Sequence, residues 1–211
     1  IQNAFNQLIS QSENVIQDYT KYLDKIPKLA VPGEHNRQNA AAAFAVADLL
    51  GIDDKIIKKS LTEFSGTWRR LEKKGETNMG TIIYDDYAHH PTEIKASLQA
   101  LRELYPHTND IGVGVYPSKK LTILFQPHLY SRTKALFDDF AKCFKGADRV
   151  LLLPIYFARE ERDESVSSEK LAEAITKTGN QAQAFPDFQS AEEAVLAINL
   201  GPNDVFVTMG A

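Results

Sequence analysis

The chain reads Leu121-Thr-Ile-Leu-Phe125 and continues as Gln126-Pro-His-Leu-Tyr-Ser-Arg132. The first five residues are apolar on both faces, which is typical of a strand buried in a parallel sheet. A helical pattern follows at 132–145, so this stretch predicts a strand that passes into a helix. A parallel strand of this kind needs further parallel strands beside it, and each is reached through a crossover connection such as a helix.

The same alternation of strand and helix extends through most of the chain. Strands are predicted at 81–84, 149–153, 182–185 and 204–208, and helices at 91–105, 167–178 and 189–199. A further strand at 69–74 precedes the first of these across a turn at Gly75. Alternation of this kind predicts right-handed crossovers and a sheet covered by helices on both sides. The predicted fold class is therefore α/β, with a mostly parallel sheet.

The residues before position 66 follow a different pattern. Helices are predicted at 39–50, which is rich in Ala, and at 53–64. Residues 1–30 are polar and weakly periodic, and they indicate no chemistry. Gly66 is the predicted boundary, which divides the chain into residues 1–65 and 66–211.

Composition and charge restrict the class of protein. The 211 residues are 43% hydrophobic and 25% charged, close to the soluble globular average, with a formal net charge of −4. This balance argues against a nucleic-acid-binding protein, and no apolar stretch is long enough to cross a membrane. The single Cys143 cannot form an internal disulfide, so a reducing compartment, the cytoplasm, is expected. The chain opens on Ile1 and not on Met, so we expect it to be part of a longer protein.

Polar and charged side chains follow three of the predicted strands. The connections are 85–91 (DDYAHHP), 126–132 (QPHLYSR) and 154–162 (PIYFAREER), and they hold three of the five His. In an open parallel sheet, ligands bind beyond the carboxyl ends of the strands, which share one edge. We therefore expect these connections to converge on one rim and to form the candidate site.

Each of these groups also has a structural explanation. The pair at 85–86 can be ordinary loop carboxylates, and the two histidines before Pro91 can cap a helix. The charged run at 159–162 is predicted to be a solvated loop. His128 and Arg132 flank a helix start, where backbone N–H groups favour an anionic ligand.

Further candidates lie outside the three connections. Asn36 and Asn39 are three residues apart, so they share a helix face or cap its start. A side-chain amide offers a donor and an acceptor, as an adenine edge requires. Arg69 and Arg70 can clamp phosphates or be exposed strand cations. The stretch at 110–120 fits neither glycine-rich phosphate-binding pattern and is predicted to be a surface connection.

Together these stretches resemble one known family. In chain order they are PGEHNRQNAAAA (32–43), FSGTWRRLE (64–72), DDYAHHPTEI (85–94), FQPHLYSRTK (125–134), PIYFARE (154–160) and VTMGA (207–211). In this order and spacing they resemble the Mur ligases of peptidoglycan synthesis. The resemblance implies that 66–211 is a Rossmann-like C-terminal domain and that 1–65 is the tail of a central ATP-binding domain. The phosphate loop and the N-terminal UDP-sugar domain would then be missing, so the chain alone is expected to be inactive.

The resemblance also implies a reaction, the joining of L-alanine to the carboxylate of UDP-N-acetylmuramate through an acyl phosphate, with ATP and Mg²⁺ as cofactors. Positioning and cationic stabilisation suit such chemistry. The residues implied to bind ATP are His35, Asn36, Asn39, Arg70 and Asp86. Those implied to face the amino acid and the acyl phosphate are Tyr87, His89, His128 and Arg132, with His89, His128 and Arg132 as the catalytic groups. Leu129 stands where some members of the family carry Arg.

Other functions remain open at this point. One is a ligase of the same family that takes a different amino acid or a recycled peptide. Another is a metal-dependent hydrolase that binds Zn²⁺ or Mn²⁺ through Asp85, Asp86, His89, His90 and His128. A third is a nucleotide-binding module without catalysis.

Overall fold

A computed structural model describes residues 2–106 and 119–211 of the chain. The chain divides into two compact units, Ile1–Ser65 and Gly66–Ala211. Among the helices in the described part, none combines the length and the apolar character needed to cross a lipid bilayer.

The first unit is helical in its described part. Its elements are α1 (Gln2–Gln11), a short 3₁₀ helix (Thr20–Lys25), α2 (Glu34–Leu49) and α3 (Asp54–Glu63). The 3₁₀ helix packs on α2 through Tyr22 and Phe44, whose ring centroids are 5.5 Å apart. Helix α2 begins earlier than the predicted position 39, because Gly33 precedes Glu34 with a φ of 96° that glycine adopts without strain.

A six-stranded sheet forms the centre of the second unit in its described part. The strands are β1 (Glu72–Glu76), β2 (Ile82–Asp86), β3 (Lys120–Phe125), β4 (Arg149–Leu152), β5 (Gln181–Ala184) and β6 (Asp204–Met209). The spatial order is β1-β2-β6-β3-β4-β5. Strand β1 runs antiparallel to β2, and the other four pairings are parallel. The mostly parallel sheet predicted from the sequence is confirmed.

Helices cover both faces of this sheet. They are α4 (Pro91–Leu104), α5 (Tyr130–Ala135), α6 (Phe137–Cys143), α7 (Ser168–Lys177) and α8 (Phe188–Ala197). Val150 and Leu152 of β4 lie in a core with residues of α4, α6 and α7, whereas Leu151 lies in a second core with Ala191 of α8. Successive side chains of a strand point to opposite faces, so the two cores lie on opposite sides of the sheet. This is why β4 is apolar on both faces.

Two elements of the second unit differ from the sequence prediction. Strand β1 begins at Glu72, three residues later than predicted, because Arg69 and Leu71 have φ values of 51° and 44°, which a strand does not allow. The helix predicted at 132–145 is two short helices, α5 and α6, which meet at Leu136 with a φ of −116°.

The third difference concerns the carboxylates at 85–86. Strand β2 continues through Asp86, because its pairing with β6 extends as far as Met209. The two aspartates are therefore the last residues of the strand and not loop residues, and the pairing overrides their low strand propensity. The predicted surface connection at 110–120 lies outside the described residues, except for its last two, of which Lys120 opens β3.

Candidate active site

Two adjacent arginines before β1 have different surroundings. Arg69 donates from Nε to Asp85 at 3.0 Å and from Nη2 to the Gly210 carbonyl at 2.6 Å. Its backbone carbonyl accepts from the Tyr87 N–H at 2.7 Å. The Arg70 side chain is exposed, makes no hydrogen bond to the described residues, and lies 5.7 Å from the Tyr87 ring centroid. Arg69 is therefore part of the fold, whereas Arg70 is available to a ligand.

The carboxylate of Asp86 lies beneath the surface at the end of β2. The residue is 2% exposed, and its carboxylate accepts a hydrogen bond from Ser97 Oγ and lies near the backbone N–H groups of Leu71 and Ala88. Burial raises the pKa of Asp86 above its usual range, and the Ser97 hydrogen bond and the nearby backbone N–H groups oppose that shift. Asp86 thus joins β2, α4 and the segment before β1, and its role at the ATP ribose stays a prediction.

The segment between β2 and α4 uses one histidine as a cap and exposes the ring of the other to the site. His90 Nδ1 accepts from the Thr92 N–H at 3.2 Å, and Glu93 accepts from the His90 N–H, which completes a capping box. His89 Nδ1 lies 2.9 Å from the Tyr87 carbonyl oxygen. Because a carbonyl only accepts, Nδ1 of His89 is the donor, and Nε2 of the neutral ring is an acceptor.

His128 and Arg132, from the connection after β3, lie beside His89. The ring centroids of His89 and His128 are 6.3 Å apart, and Arg132 Nη1 lies 3.5 Å from His128 Nδ1. A guanidinium only donates, so Nδ1 of His128 accepts and its proton is on Nε2 when the ring is neutral. Leu129, which precedes α5, has a φ of 72°, a strained conformation of the kind that clusters at functional sites.

The surroundings of His128 favour its neutral form. Burial lowers the pKa of His128 below its ordinary value of 6.5, and the positive charge of Arg132 and the nearby ring of His89 lower it further. The carboxylate of Glu160 acts in the opposite direction. The imidazole is therefore mainly neutral at pH 7, which preserves the donor at Nε2.

The connection after β4 contributes two residues that sequence reasoning did not select. The ring of Tyr156 stacks on His128, with centroids 5.4 Å apart and an interplanar angle of 27°. Glu160 accepts hydrogen bonds from the backbone N–H and the hydroxyl of Ser131, in the first turn of α5. Glu160 is therefore ordered by hydrogen bonds at the surface of the predicted charged loop, and Arg159 is exposed as predicted. Both residues could have been selected from the sequence, because they follow a buried parallel strand, where ligands bind.

Glu160 also changes the expectation for the start of α5. The sequence predicts a helix start that favours an external anion beside His128 and Arg132. In the structure the Glu160 carboxylate accepts a hydrogen bond from the Ser131 N–H at 3.0 Å. The Ser131 N–H is therefore already bonded, and the side chains of His128 and Arg132 are the donors that remain for a ligand beside it.

Five side chains from the three connections form a contiguous group, here named the imidazole cluster: Tyr87, His89, His128, Arg132 and Tyr156. The Tyr87 and His89 rings are 5.2 Å apart, which links the first connection to the rest. The convergence predicted from the sheet rule is thus observed. Imidazole and guanidinium donors of this kind suit a ligand that carries or develops negative charge.

An open groove of about 820 Å³ lies among the segments that follow β3, β4 and β5, and its lining does not include the residues of the imidazole cluster. Its lining includes Tyr130, Ile155, Phe157, Glu160 and Phe185. Pockets that bind small molecules measure roughly 300–1,000 Å³, so the groove has room for more than a single amino acid.

The candidate ATP-binding residues of the first unit lie on the first turns of α2. The Asn36 side chain donates from Nδ2 to the Pro32 carbonyl at 2.7 Å, which leaves its Oδ1 as an acceptor. Asn39 is exposed, and His35 is half-buried. Asn36 and Asn39 are three residues apart on the helix and so share a face, as predicted.

The donors proposed for a hydrolase metal centre do not converge. Among the described residues, no group of three or more His, Cys, Asp or Glu has a geometry that could hold a metal ion. Asp85 is bonded to Arg69, Asp86 to Ser97, and His90 to the start of α4. The hydrolase alternative therefore lacks its donor set in this part of the chain.

Residues 69–211 match the family described as Mur ligase, glutamate ligase domain. The chain belongs to the Mur ligase family. This Mur ligase chain is 44% identical over 183 residues to the UDP-N-acetylmuramate–L-alanine ligase of Desulfosudis oleivorans, which covers 87% of the chain and 37% of that protein. It is 40% identical over 198 residues to the ligase of the same name from Caldicellulosiruptor saccharolyticus, covering 94% of the chain and 40% of that protein.

A solved structure supports the same family. The crystal structure of the UDP-N-acetylmuramate-alanine ligase from Thermotoga maritima superposes with a TM-score of 0.64 at 29% identity, over 87% of this chain and 36% of that one. The resemblance stated from the sequence and the predicted fold class are confirmed. This Mur ligase chain spans about two fifths of the length of the curated relatives it matches.

Proposed function

We propose that this chain is the C-terminal part of an ATP-dependent ligase that joins L-alanine to the carboxylate of UDP-N-acetylmuramate in peptidoglycan synthesis. The observation that carries the proposal is the imidazole cluster, in a chain that is 40–44% identical to two ligases of that name. On this proposal residues 1–65 are the tail of a central ATP-binding domain, and 66–211 are the C-terminal domain. Cys143 is free and buried, which agrees with the reducing cytoplasm as the site of the reaction.

The two histidines of the cluster have opposite hydrogen-bonding roles. His128 accepts from Arg132 at Nδ1 and therefore donates from Nε2, so it can bind an oxygen of the acyl phosphate or of the tetrahedral adduct. His89 donates from Nδ1 to the Tyr87 carbonyl and therefore accepts at Nε2, so it can orient the alanine amine. The amine nitrogen attacks the acyl carbon, the C–O bond to phosphate breaks, and phosphate leaves while the amine loses a proton.

The chain's residues fit the nucleotide in part. ATP supplies the phosphoryl group that activates the muramyl carboxylate. The exposed guanidinium of Arg70 suits a phosphate, and the amides of Asn36 and Asn39 suit the adenine edge, with His35 beside them. Asp86 would reach a ribose only through a small rearrangement, since it is 2% exposed. The described residues hold no group of three or more His, Cys, Asp or Glu for Mg²⁺, which usually takes one or two carboxylates together with substrate phosphates and water.

The test is a ligation assay on the full-length protein. With ATP, Mg²⁺, UDP-N-acetylmuramate and L-alanine we expect amide product and ADP, and the 211-residue chain alone should form neither. Arg132→Ala and His128→Ala should each lower kcat by about 100- to 1,000-fold, as loss of a transition-state donor does. Arg149→Ala is the matched control, because Arg149 is the first residue of β4 and the imidazole cluster lies beyond the opposite, carboxyl ends of the strands.

Three outcomes would contradict parts of this proposal. Near-wild-type activity in both variants would remove the substrate-side roles of Arg132 and His128. Faster turnover with another amino acid or a peptide would keep the ligase class and overturn the alanine assignment. Absence of ADP and product with every acceptor would overturn the function itself.

A further inference from the structure

The segment after β4 is joined to the connection that carries His128 by main-chain hydrogen bonds. The Tyr156 N–H donates to the Pro127 carbonyl at 2.9 Å, and the Leu129 N–H donates to the Tyr156 carbonyl at 2.8 Å. His128 lies between these two bonds, and its ring is stacked on Tyr156 at 5.4 Å. The position of the imidazole is therefore coupled to the position of the residue that faces it.

The same segment also fixes the first turns of α5. Glu160 accepts from the Ser131 N–H at 3.0 Å and from the Ser131 hydroxyl, and Asp163 accepts from Lys134 Nζ at 2.9 Å. These hydrogen bonds lower the pKa of Glu160 below its usual range, so it is an anion at neutral pH. Arg132 follows Ser131 directly, so the bond between Glu160 and Ser131 orients the turn from which the guanidinium extends.

We propose that Tyr156 and Glu160 are positioning residues for the ligation chemistry proposed above, in which the Tyr156 ring holds the plane of His128 and Glu160 holds the turn that carries Arg132. Neither side chain is placed on a reacting atom. Their effect passes through His128 and Arg132, whose donors must meet the oxygen of the reacting carbonyl. The proposal rests on the proposed ligase activity only for its kinetic consequence.

The charged and titratable groups around His128 give this proposal a specific signature. They are Arg132 on α5, His89 before α4, and Tyr156 and Glu160 after β4. Removing the Tyr156 ring exposes His128 to water and should raise its pKa toward the ordinary value, because burial is the main cause of its low pKa. Neutralising Glu160 removes a charge that stabilises the imidazolium, but it also frees the turn that carries Arg132, whose positive charge affects the pKa of His128 more strongly and in the opposite direction. If Glu160 holds Arg132 beside His128, the pKa of His128 should therefore rise in Glu160→Gln, whereas an effect of the Glu160 charge alone would lower it.

The first experiment is an NMR titration of the His128 ring in the 211-residue chain, assigned with His128→Gln. We expect the pKa of His128 to rise both in Tyr156→Ala and in Glu160→Gln. Tyr156→Phe keeps the stacked ring, and Glu161→Gln removes a neighbouring exposed carboxylate, so both should titrate like wild type. Dispersed amide spectra show whether each variant is folded. An unchanged pKa of His128 in the folded Tyr156→Ala variant, or an unchanged or lowered one in the folded Glu160→Gln variant, would overturn the proposal.

The second experiment measures kcat and KM in the full-length ligase with the same four variants. We expect kcat to fall about 10- to 100-fold in Tyr156→Ala and Glu160→Gln, with KM for ATP unchanged, because small misplacements of a catalytic group cost this much. The two controls should stay within about twofold of wild type. Shifted titrations with unchanged kcat would overturn the catalytic importance of the positioning. A wild-type protein that forms no product would instead overturn the ligase activity, and the titration alone would then decide how His128 is held.

Discussion

Replacing Arg69 by Ala should destabilise the second unit, whereas the same change at Arg70 should not. The Arg69 side chain is 23% exposed and donates two charge-assisted hydrogen bonds, to Asp85 and to the Gly210 carbonyl. Such a bond contributes about 1.5–3 kcal/mol, and partial exposure moves the value toward the lower end. We therefore expect Arg69→Ala to lower the free energy of unfolding by about 2–3 kcal/mol, or Tm by about 4–12 °C for a unit of this size.

Calorimetric melting of the wild-type, Arg69→Ala and Arg70→Ala chains measures the difference. The two variants remove the same atoms from adjacent positions, so Arg70→Ala is the matched control. Because the Arg70 side chain is exposed and has no hydrogen bond to the described residues, its removal should change stability by less than about 0.5 kcal/mol. If the two variants melt within about 2 °C of each other, the division into a structural and a ligand-binding arginine is wrong.

Three further predictions address other parts of the second unit. Gly210→Ala should cost about 1–3 kcal/mol in a urea melt and more than Gly179→Ala, because its Cβ would lie 2.9 Å from the Gln126 carbonyl oxygen, whereas the Cβ at 179 meets nothing within 4 Å. Ser97→Ala removes a hydrogen bond from the buried Asp86 carboxylate and should cost about 1.5–3 kcal/mol, against a small effect of Thr92→Ala on the same helix; equal effects would contradict this. The pKa of His128 is lowered in the folded state, so the unfolded chain binds that proton first and stability should decrease as pH falls below about 6.5. Urea melts at about pH 7.5 and 5.5 should show a smaller decrease in His128→Gln, and an identical decrease would refute the shift.

The sequence predicted the helices and strands best where the pattern of neighbouring residues determines the structure. Continuous apolar runs such as residues 150–152 are buried on both faces. The strands and helices predicted after position 80 are present in the described residues, except that the helix predicted at 132–145 is divided into α5 and α6. The bounds of strands were predicted less well where they depend on pairing with a distant strand or on strained backbone conformations. Strand β2 gains Asp86 through its pairing with β6, and the positive φ of Arg69 and Leu71 delays the start of β1.

The candidate site shows the same division. Ligands bind at the carboxyl ends of parallel strands, and this rule correctly predicted that His89, His128 and Arg132 lie close together. The rule does not state which polar groups are already used by the fold. The ion pair of Arg69 and the bond between Glu160 and Ser131 depend on residues distant in the chain, so no local pattern reveals them. The roles of the clustered residues in ligation stay predictions until the assays above are done.

The position of β6 in the sheet affects how the second unit can be synthesised. This strand comes last of the six along the chain, yet it lies between β2 and β3, where Val205 pairs with both Ile82 and Leu121. Until residues 204–209 leave the ribosome, β2 of the β1–β2 hairpin and β3 of the β3–β4–β5 sheet each have an unpaired edge. An unpaired edge can pair with a strand of another chain. We expect the nascent polypeptide to depend on a chaperone at this stage, and the second unit to fold slowly once β6 is available.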